Sequence, residues 1–385
     1  LHHVPAAAGL DLYLTIDGNL QLAVEKALGE LRGAVVAIEP QTGDVLAMVS
    51  NPSYDPNLFV SSLTSSMYQA LLKQKNRPLY NRAIRGQYPF ASTIKPFLAV
   101  GALDHNIVNT SYEIRDPGWF QLPNTTHVYR DWKKTGHGWV DLHRAIVVSC
   151  DTYFYNLATL MGIKRLERIL RSFGFGEQTG LDIAEESPGL VPNPTWKRAV
   201  KGESWYRGDT VVAGIGQGYL LTTPLQLAQG VASIAARGHH HRPHLIKYWE
   251  DVQGNIIEPD LPPLPPIELS DPEIWDIVIK AMHGVIVEAG GTGYRFGRDV
   301  LYSVAAKTGT AQVYSSYKYK HYDKRKADIP EHLRDHTLFI AFAPVEDPQI
   351  ALAVIVENSK LASNVAREVL DYFMGIEPVQ PDEDS

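Results

Sequence analysis

Three short strings in this chain contain the residue types needed for acyl transfer to a serine. They are Ser92-Thr93-Ile94-Lys95, Ser149-Cys150-Asp151 and Lys307-Thr308-Gly309-Thr310. A serine hydroxyl is a weak nucleophile until a base takes its proton, and a lysine at i+3 lies on the same helix face. One SxxK string is expected about once by chance in a chain of this length, and Ser315-Ser316-Tyr317-Lys318 is a second one. The prediction of a serine acyl-transfer site therefore depends on the order and separation of all three strings.

The residues after Ser92 favour it over Ser315 as the nucleophile. Pro96 has no backbone N–H and fits only within the first turn of a helix, so a helix should begin near Ser92. The serine hydroxyl then lies at the positive end of the helix dipole, where a developing oxyanion is stabilised. Ser315 lies in a stretch rich in tyrosine, lysine and aspartate, which is typical of a solvated loop.

Lysine can act as the base only if its neighbours favour the neutral amine. A second cation, Lys307, would favour the neutral form of Lys95. On a strand, Thr308 and Thr310 share one face while Lys307 and Gly309 share the other. Two hydroxyls on one face would suit a carboxylate of the substrate. The missing side chain of Gly309 would let another backbone lie close to the strand.

Composition indicates an ordinary globular protein. The 385 residues are 44% hydrophobic and 21% charged, enough for one large domain or two smaller ones. The net charge is −7, and Lys/Arg clusters interleaved with aromatic residues are absent, which argues against nucleic-acid binding. The single cysteine, Cys150, excludes an internal disulfide. The sequence starts without methionine, so we expect a fragment of a longer protein.

Strand patterns occur near both ends of the chain and helical patterns in the middle. The predicted strands are Ala34 to Glu39, Val45 to Ser50, Val304 to Val313, Leu338 to Pro344 and Ile350 to Glu357. A helix follows Asp17 as its N-cap and ends before Gly33, and another spans Ala362 to Met374. These patterns predict an α+β fold, in which an antiparallel sheet from about 15–60 and 290–375 is flanked by helices and interrupted by an all-helical insertion at about 92–290.

Several other segments are interpreted as turns or loops. Asn255 to Pro272 is rich in proline, and Tyr314 to His336 is polar and highly charged. Gly214 to Gly218 has the wrong spacing for a dinucleotide loop, so a tight turn is predicted. Adjacent histidines cannot all face one ion, so His239-His240-His241 and the nearby His244 are interpreted as a solvated loop.

The three strings resemble those of the penicillin-binding proteins, a family of penicilloyl serine transferases. Within that family the chain is similar to the class B proteins, and in particular to the elongation-type penicillin-binding protein 2 of Gram-negative bacteria. The segments that support this similarity are Tyr54-Asp55-Pro56-Asn57, Tyr88-Pro89, Asp116-Pro117-Gly118-Trp119, Arg130 to Lys134, Gly214 to Tyr219 and Leu333 to His336. The similarity extends over nearly the whole chain.

The resemblance implies a peptidoglycan D,D-transpeptidase. Ser92 would attack the carbonyl of the penultimate D-Ala of a stem peptide, and an amine of a neighbouring stem, usually diaminopimelate, would then take the acyl group. β-Lactams would stall at the acyl stage. Lys95 would be the base, Ser149 a proton relay approached by Lys307, and Thr308, Gly309 and Thr310 would bind substrate. The amides of Ser92 and Thr310 would form the oxyanion hole.

Asp151 stands where many relatives have asparagine, so its contact with substrate amides is one interpretation beside two others. These are the capping of a helix and an ion pair with Lys95. Two other functions use similar strings: a serine β-lactamase, and a β-lactam sensor that acylates without turnover. The length and the large insertion favour the transpeptidase, and a glutamate motif of the class A β-lactamases is absent upstream of the third string.

The resemblance also implies surroundings and partners for the protein. A membrane anchor and a pedestal domain would precede this sequence and hold it on the periplasmic face of the inner membrane. The partners would be a SEDS-family glycosyltransferase and a shape-determining scaffold protein. No catalytic cofactor is implied.

A structural zinc site is the last implication, because elongation-type relatives can hold zinc with two aspartates, a histidine and a cysteine. Asp116, Asp131, His137 and Cys150 match that set. Each also has a simpler explanation: a turn for Asp116, an ion pair with Lys133 or Arg130 for Asp131, a glycine-flanked loop for His137, and a buried inert thiol for Cys150.

Overall fold

The computed structural model describes residues 9–60, 63–313 and 330–376. In these parts of the chain the strands are β1 (Asp11–Leu14), β2 (Gly33–Ile38), β3 (Val45–Asn51), β4 (Glu113–Asp116), β5 (Trp119–Gln121), β6 (Val128–Arg130), β7 (Gly138–Asp141), β8 (Ile246–Glu250), β9 (Ile256–Ile257), β10 (Ala305–Ala311), β11 (His336–Ala343) and β12 (Ile350–Val356). The α-helices are α1 (Gly18–Leu28), α2 (Asn57–Val60), α3 (Ser65–Lys73), α4 (Arg82–Arg85), α5 (Lys95–Asp104), α6 (Leu142–Val147), α7 (Asp151–Met161), α8 (Ile163–Ser172), α9 (Pro194–Lys201), α10 (Arg207–Ala213), α11 (Pro224–Ala235), α12 (Glu273–Val287) and α13 (Ala362–Phe373).

The centre of the fold is a five-stranded antiparallel sheet in the order β10-β11-β12-β2-β3. Two of its inner strands, β2 and β12, have no polar side chain, and every residue in them is buried. Such strands need cover on both faces. Helix α11, itself entirely buried, packs on one face, while α1 and α13 pack on the other. The predicted sheet from both chain ends is confirmed.

The first helix begins as predicted but ends earlier. The Asp17 side chain accepts hydrogen bonds from the amides of Asn19 and Leu20, which confirms the N-cap. The helix stops at Leu28, and Gly29, at φ 49°, follows it. Gly33 is instead the first residue of β2, where a Cβ atom would come within 2.1 Å of the Ile355 carbonyl oxygen. Strand packing, not helix termination, requires that glycine.

The insertion at about 92–290 is not all-helical, which corrects the prediction. Strands β4 to β7 form two short hairpin-like pairs between Glu113 and Asp141, and β8 pairs with β1 near the other end of the chain. Strands of three or four residues are too short to show an alternating pattern. The partner of β8 is more than 200 residues away in sequence, so nothing local indicates that pairing.

The division into a sheet subdomain and an insertion stays a prediction, because buried residues of both parts belong to one continuous hydrophobic core. Among the described residues, none of the helices is both long enough and apolar enough to cross a lipid bilayer. Most of the predicted loop from Tyr314 to His336, including the second SxxK string, lies outside the described residues.

Candidate active site

The Ser92 turn lies between the sheet and the helical layer. Residues Ala91–Ile94 form a 3-10 turn that continues into α5, with Pro96 in the first turn of the α-helix as predicted. Ser92 is half-buried and lines a cavity of about 550 Å³. Lys95, one turn later, is fully buried. A buried ammonium needs partners, and the second string supplies them.

Ser149 and Asp151 both contact the Lys95 amine. Lys95 Nζ donates to the Ser149 carbonyl oxygen at 2.9 Å, to Ser149 Oγ at 3.2 Å and to Asp151 Oδ1 at 2.7 Å. The ammonium also lies 5.2 Å from the centroid of the Phe154 ring. Ser149 lies in the turn between α6 and α7 with φ at 55°, a strained conformation for a residue with a side chain. Of the alternatives for Asp151, the geometry shows the ion pair with Lys95.

Lys307 extends from β10 into the same buried region. It is fully buried, and its Nζ donates to the Thr308 carbonyl oxygen at 3.1 Å. Burial, followed by repulsion from the Lys95 ammonium, holds the pKa of Lys307 well below its usual value, and Asp151 offsets only part of this. The sequence predicted that Lys307 would influence the protonation of Lys95. The structure shows the reverse influence, of the Lys95 charge on the pKa of Lys307, and it shows Lys95 paired with a carboxylate.

The remaining residues of the third string alternate between the two faces of β10 as predicted. Thr308 donates to Thr292 Oγ1 at 2.8 Å, and Thr310 is exposed at the cavity. The missing side chain of Gly309 also has a structural use. A Cβ atom there would lie 3.0 Å from Thr93 Cγ2, so Gly309 lets the Ser92 turn pack on the strand. Gly309 lines the cavity as well, and its place beside a substrate backbone stays a prediction.

Residues that were not predicted to belong to the site also line the cavity, among them Trp132, Gln217 and Thr292. Gln217 Nε2 donates to the Thr310 carbonyl oxygen at 3.3 Å. Its segment was recognised as a tight turn, and the positive φ of Gly216 and Gly218 confirms the turn. The glycine spacing predicts the turn but not its position beside β10. Only the fold brings residue 217 beside β10.

Asp116, Asp131, His137 and Cys150 converge beside the Ser149 turn, with one ligand atom from each lying within 4.8 Å of all the others. His137 Nδ1 lies 2.7 Å from Asp116 Oδ2 and 3.7 Å from Asp131 Oδ1, and Cys150 Sγ lies 3.4 Å from the same Asp116 oxygen. The two carboxylates and the thiol are buried.

The simpler explanations of these four residues also hold in part. Asp116 Oδ1 accepts from the Gly118 amide, as its turn requires, and Asp131 Oδ2 accepts from the amides of Asp151 and Thr152 at the start of α7. Each carboxylate nevertheless keeps its other oxygen towards the cluster. Burial, with the charge of Asp131 nearby, raises the pKa of the Cys150 thiol. This is an inert thiol unless a cation lies beside it.

The histidines near position 240 do not form a second cluster. His239 is exposed, but His240 Nδ1 lies 2.7 Å from Ser233 Oγ, and His244 Nε2 lies 2.9 Å from Asp44 Oδ1. The interpretation as a wholly solvated loop is therefore wrong for His240 and His244. Their separate partners agree with the argument that the histidines cannot all face one ion.

Comparison with known proteins gives the same assignment over nearly the whole chain. A family model described as "Penicillin binding protein transpeptidase domain" matches residues 33–375. The peptidoglycan D,D-transpeptidase MrdA of Haemophilus influenzae is 44% identical over 96% of this chain. The chain spans 57% of that relative's length.

Two solved structures extend the likeness to the fold. Penicillin-binding protein 2 of Pseudomonas aeruginosa, solved in complex with WCK 5153, is 46% identical with a TM-score of 0.85, covering 95% of this chain and 79% of that one. Penicillin-binding protein 2 of Helicobacter pylori, solved in complex with MreC, is 31% identical with a TM-score of 0.82, covering 94% and 64%. With its three strings assembled at one cavity, the chain belongs to the family of penicillin-binding protein transpeptidase domains.

Proposed function

We propose that this chain catalyses peptidoglycan D,D-transpeptidation during cell elongation, through an acyl-enzyme on Ser92. The observation that carries the proposal is the buried cluster at the Ser92 cavity, in which Lys95 Nζ lies 3.2 Å from Ser149 Oγ and Lys307 is fully buried beside them. An acyl transfer needs two proton movements, one from the nucleophile and one to the leaving amine. A serine between two lysines suits a relay.

In the proposed first half-reaction, Ser92 Oγ attacks the carbonyl of the penultimate D-Ala of a stem peptide. Lys95 gives one of its protons to Ser149 Oγ, whose own proton goes to the nitrogen of the terminal D-Ala, and the D-Ala leaves. The Ser92 proton replaces the one that Lys95 gave up, so Lys95 ends as it began. Lys307, favoured as the neutral amine, can hold the Ser149 proton only in transit and returns it to the leaving nitrogen. The exposed hydroxyl of Thr310 suits the terminal carboxylate, and Thr308 supports the same strand face. The amides of Ser92 and Thr310 would stabilise the oxyanion.

In the second half-reaction an amine of another stem, of the diaminopimelate type, attacks the acyl-enzyme and gives its proton to the relay. A peptide bond forms and Ser92 Oγ is released with that proton. A β-lactam would acylate the same serine but keeps its leaving nitrogen tethered to the adduct. The Asp151–Lys95 ion pair holds the amine at the Ser149 turn in both steps.

Labelling with a fluorescent penicillin tests the nucleophile. We expect wild-type protein to form a stable adduct and Ser92→Ala to form none, whereas labelled Ser92→Ala protein would refute the site. An adduct that clears within seconds would indicate a serine β-lactamase. An adduct that persists, with transfer of a D-Ala-D-Ala peptide to an added amine acceptor, supports the transpeptidase. Persistence without any transfer would indicate a sensor.

We also propose that Asp116, Asp131, His137 and Cys150 hold a structural zinc ion. The residues fit such an ion, because two carboxylates, an imidazole and a thiol converge in a buried site, a donor set that zinc accepts in closed four-ligand sites. The bound ion would supply a cross-link between the segment from β4 to β7 and the start of α7. Elemental analysis should find about one zinc per wild-type chain and none in His137→Ala.

The cellular setting is proposed on the same basis. We infer that the protein works on the periplasmic face of the inner membrane, beside a SEDS-family glycosyltransferase and a shape-determining scaffold protein. The Helicobacter pylori relative solved in complex with MreC supports the scaffold partner. Cell fractionation and co-purification of the full-length protein test both statements. Recovery in the cytosol, or no association with either partner, would contradict them.

A further inference from the structure

Glu357 is a half-buried carboxylate directly after β12, and the proposed mechanism does not use it. Its Oε1 accepts from Arg82 Nε at 2.9 Å and from the Tyr88 hydroxyl at 2.8 Å, and Arg32 Nε lies 3.5 Å from Oε2. Arg82 is only 3% exposed. Burial alone would raise the pKa of Glu357, but the Tyr88 hydroxyl and the Arg82 charge outweigh it and lower the pKa. The carboxylate is therefore an ionised anchor inside the fold.

Tyr88 connects this anchor to the Ser92 turn. Its backbone exchanges two hydrogen bonds with Thr222, both at 2.9 Å, and four residues later the chain reaches Ser92. The pairing with Thr222 fixes the backbone of Tyr88, and the hydrogen bond from its hydroxyl to Glu357 fixes its side chain. Burial and the Glu357 charge raise the pKa of Tyr88, so the phenol remains a donor at all ordinary pH values.

The segment between Tyr88 and Ser92 needs such support. Ala91 has φ at 50°, a conformation that a residue with a Cβ atom keeps only when its surroundings enforce it. Phe90 is buried against Phe175, and the Ala91 amide donates to the Gly216 carbonyl oxygen at 2.9 Å. These contacts fix the side chain of Phe90 and the backbone of Ala91. The hydrogen bond from Tyr88 to Glu357 fixes the residue at the start of the segment.

We propose that Glu357 is a positioning residue for the nucleophile: through the Tyr88 hydroxyl it holds the strained Ala91 turn that aims Ser92 into the cavity. The inference rests on the proposed function, since it assigns Ser92 as the residue that is acylated. Glu357 itself does not line the cavity. Its loss should therefore slow acylation while leaving the affinity for the substrate nearly unchanged.

The chain contains a matched control with the same chemistry away from Ser92. The Tyr302 hydroxyl donates to Asp371 Oδ1 at 2.7 Å, and Arg367 Nε lies 2.6 Å from Asp371 Oδ2. This triad also joins a tyrosine, a carboxylate and an arginine. Tyr302 lies three residues before β10, which begins at Ala305, whereas Lys307 to Thr310 lie within that strand. Tyr302→Phe removes an equivalent hydrogen bond that does not involve the residues from Tyr88 to Ser92.

The test compares Tyr88→Phe, Glu357→Gln and Tyr302→Phe with wild type. A fluorescent penicillin gives two values for each protein, the acylation rate constant and the dissociation constant before acylation. We expect Tyr88→Phe and Glu357→Gln each to slow acylation by about tenfold, the equivalent of one hydrogen bond to a charged group, with the dissociation constant changed less than about twofold. The double variant should be no slower than Glu357→Gln, because both act through one contact.

Stability alone could imitate this result, so two further measurements separate the causes. Tyr302→Phe should lower the melting temperature as much as Tyr88→Phe does, yet acylate at the wild-type rate. Hydrogen exchange at the Ala91 amide should accelerate in Tyr88→Phe and not in Tyr302→Phe. Wild-type acylation and exchange in Tyr88→Phe, or equally slow acylation in Tyr302→Phe, would overturn the inference.

The two proposals fail in different ways. If wild-type protein is not labelled on Ser92, the proposed function fails. The exchange measurement still decides whether Glu357 holds the Ala91 turn. If Glu357→Gln does not fold, Tyr88→Phe carries the test, because it keeps the ion pair with Arg82 and removes only the phenol oxygen.

Discussion

The two lysines of the site have opposite surroundings, although both are fully buried. Lys95 has a carboxylate and two oxygens of Ser149 within hydrogen-bond distance, whereas the Lys307 amine donates to a backbone carbonyl. A buried ammonium without a counter-ion is costly. Protonation of Lys307 is therefore unfavourable in the folded protein, a penalty that an apolar side chain would not have. Such an arrangement is typical of functional residues.

Replacement of Lys307 by methionine should stabilise the protein and slow its acylation. The folded-state pKa of Lys307 is below its unfolded value, so the unfolded chain binds the proton more readily and stability falls as pH decreases through the window between the two values. Lys307→Met should thus unfold at a higher temperature than wild type at pH 7, and the difference should shrink as pH approaches about 10.4, the ordinary lysine pKa.

Thermal unfolding between pH 6 and pH 10, with penicillin acylation rates, checks this prediction. Acylation should fall about 100-fold, the usual contribution of a proton-transfer group. Lys280→Met, at an exposed position of α12, is the control and should change neither quantity appreciably. A Lys307→Met protein that melts below wild type at pH 7 would contradict the charge assignment.

At the residue scale, the sequence was sufficient to predict the site residues that can be recognised from residue type and spacing. Ser92, Lys95, Ser149 and Lys307 meet at one cavity or directly beside it, and the four candidate zinc ligands converge. The lowered pKa of Lys307 could not be predicted, because it depends on the full burial of this side chain and on its closeness to Lys95. Thr292 and Trp132 belong to no string, and only tertiary packing brings them to the cavity.

At the scale of elements, the turn from Gly214 to Tyr219 is as important to the site as the helix that carries Lys95. Gly216 has φ at 68°, and a Cβ atom there would lie 2.2 Å from the Ala91 carbonyl oxygen and 2.7 Å from its amide nitrogen. Any side chain must displace the turn before Ser92. Gly218, two residues later, also has positive φ, but its Cβ atom would meet only Val212 at 3.4 Å.

This pair gives a matched prediction. Gly216→Ala should slow penicillin acylation by about 100-fold, because displacement of a nucleophile by a fraction of an ångström to one ångström has that effect. Gly218→Ala should lower stability by about 1 kcal/mol for its positive φ and acylate at nearly the wild-type rate. Acylation rates and melting temperatures of both variants check it. Equal rates in the two variants would show that close packing on Ala91 is unimportant.

Element prediction succeeded where the pattern is local and long. The buried strands β2, β3 and β12 and the helix α13 lie within a few residues of their predicted bounds. It failed for β4 to β9, which have two to five residues each and whose pairing is not indicated by periodicity. The same insertion carries the four candidate zinc ligands. These side chains, more than the short strands, give that segment its cross-links.

At the scale of the whole molecule, one hydrophobic core joins the sheet and the helical insertion. Strands from both ends of the chain pair side by side, with β2 next to β12. A chain with a continuous core is expected to unfold in one cooperative transition. Local stabilisation at the edge of the insertion should therefore move that single transition, and no second one should appear.

Removal of the proposed zinc ion should lower the melting temperature and the acylation rate together. Asp116 ends β4, Asp131 follows β6, His137 precedes β7 and Cys150 caps α7, so the cluster links four segments beside Ser149. A ligand present at 100 times its dissociation constant stabilises by about 2.7 kcal/mol, which for a chain of 385 residues is about 3 °C. Treatment with a chelator and His137→Ala should both give this decrease as a shift of one calorimetric transition, and added zinc should reverse only the effect of the chelator.

His239→Ala, at an exposed histidine, is the matched control and should retain both the metal and the melting temperature. Wild-type protein without zinc by elemental analysis, together with an unchanged melting temperature in His137→Ala, would refute the site.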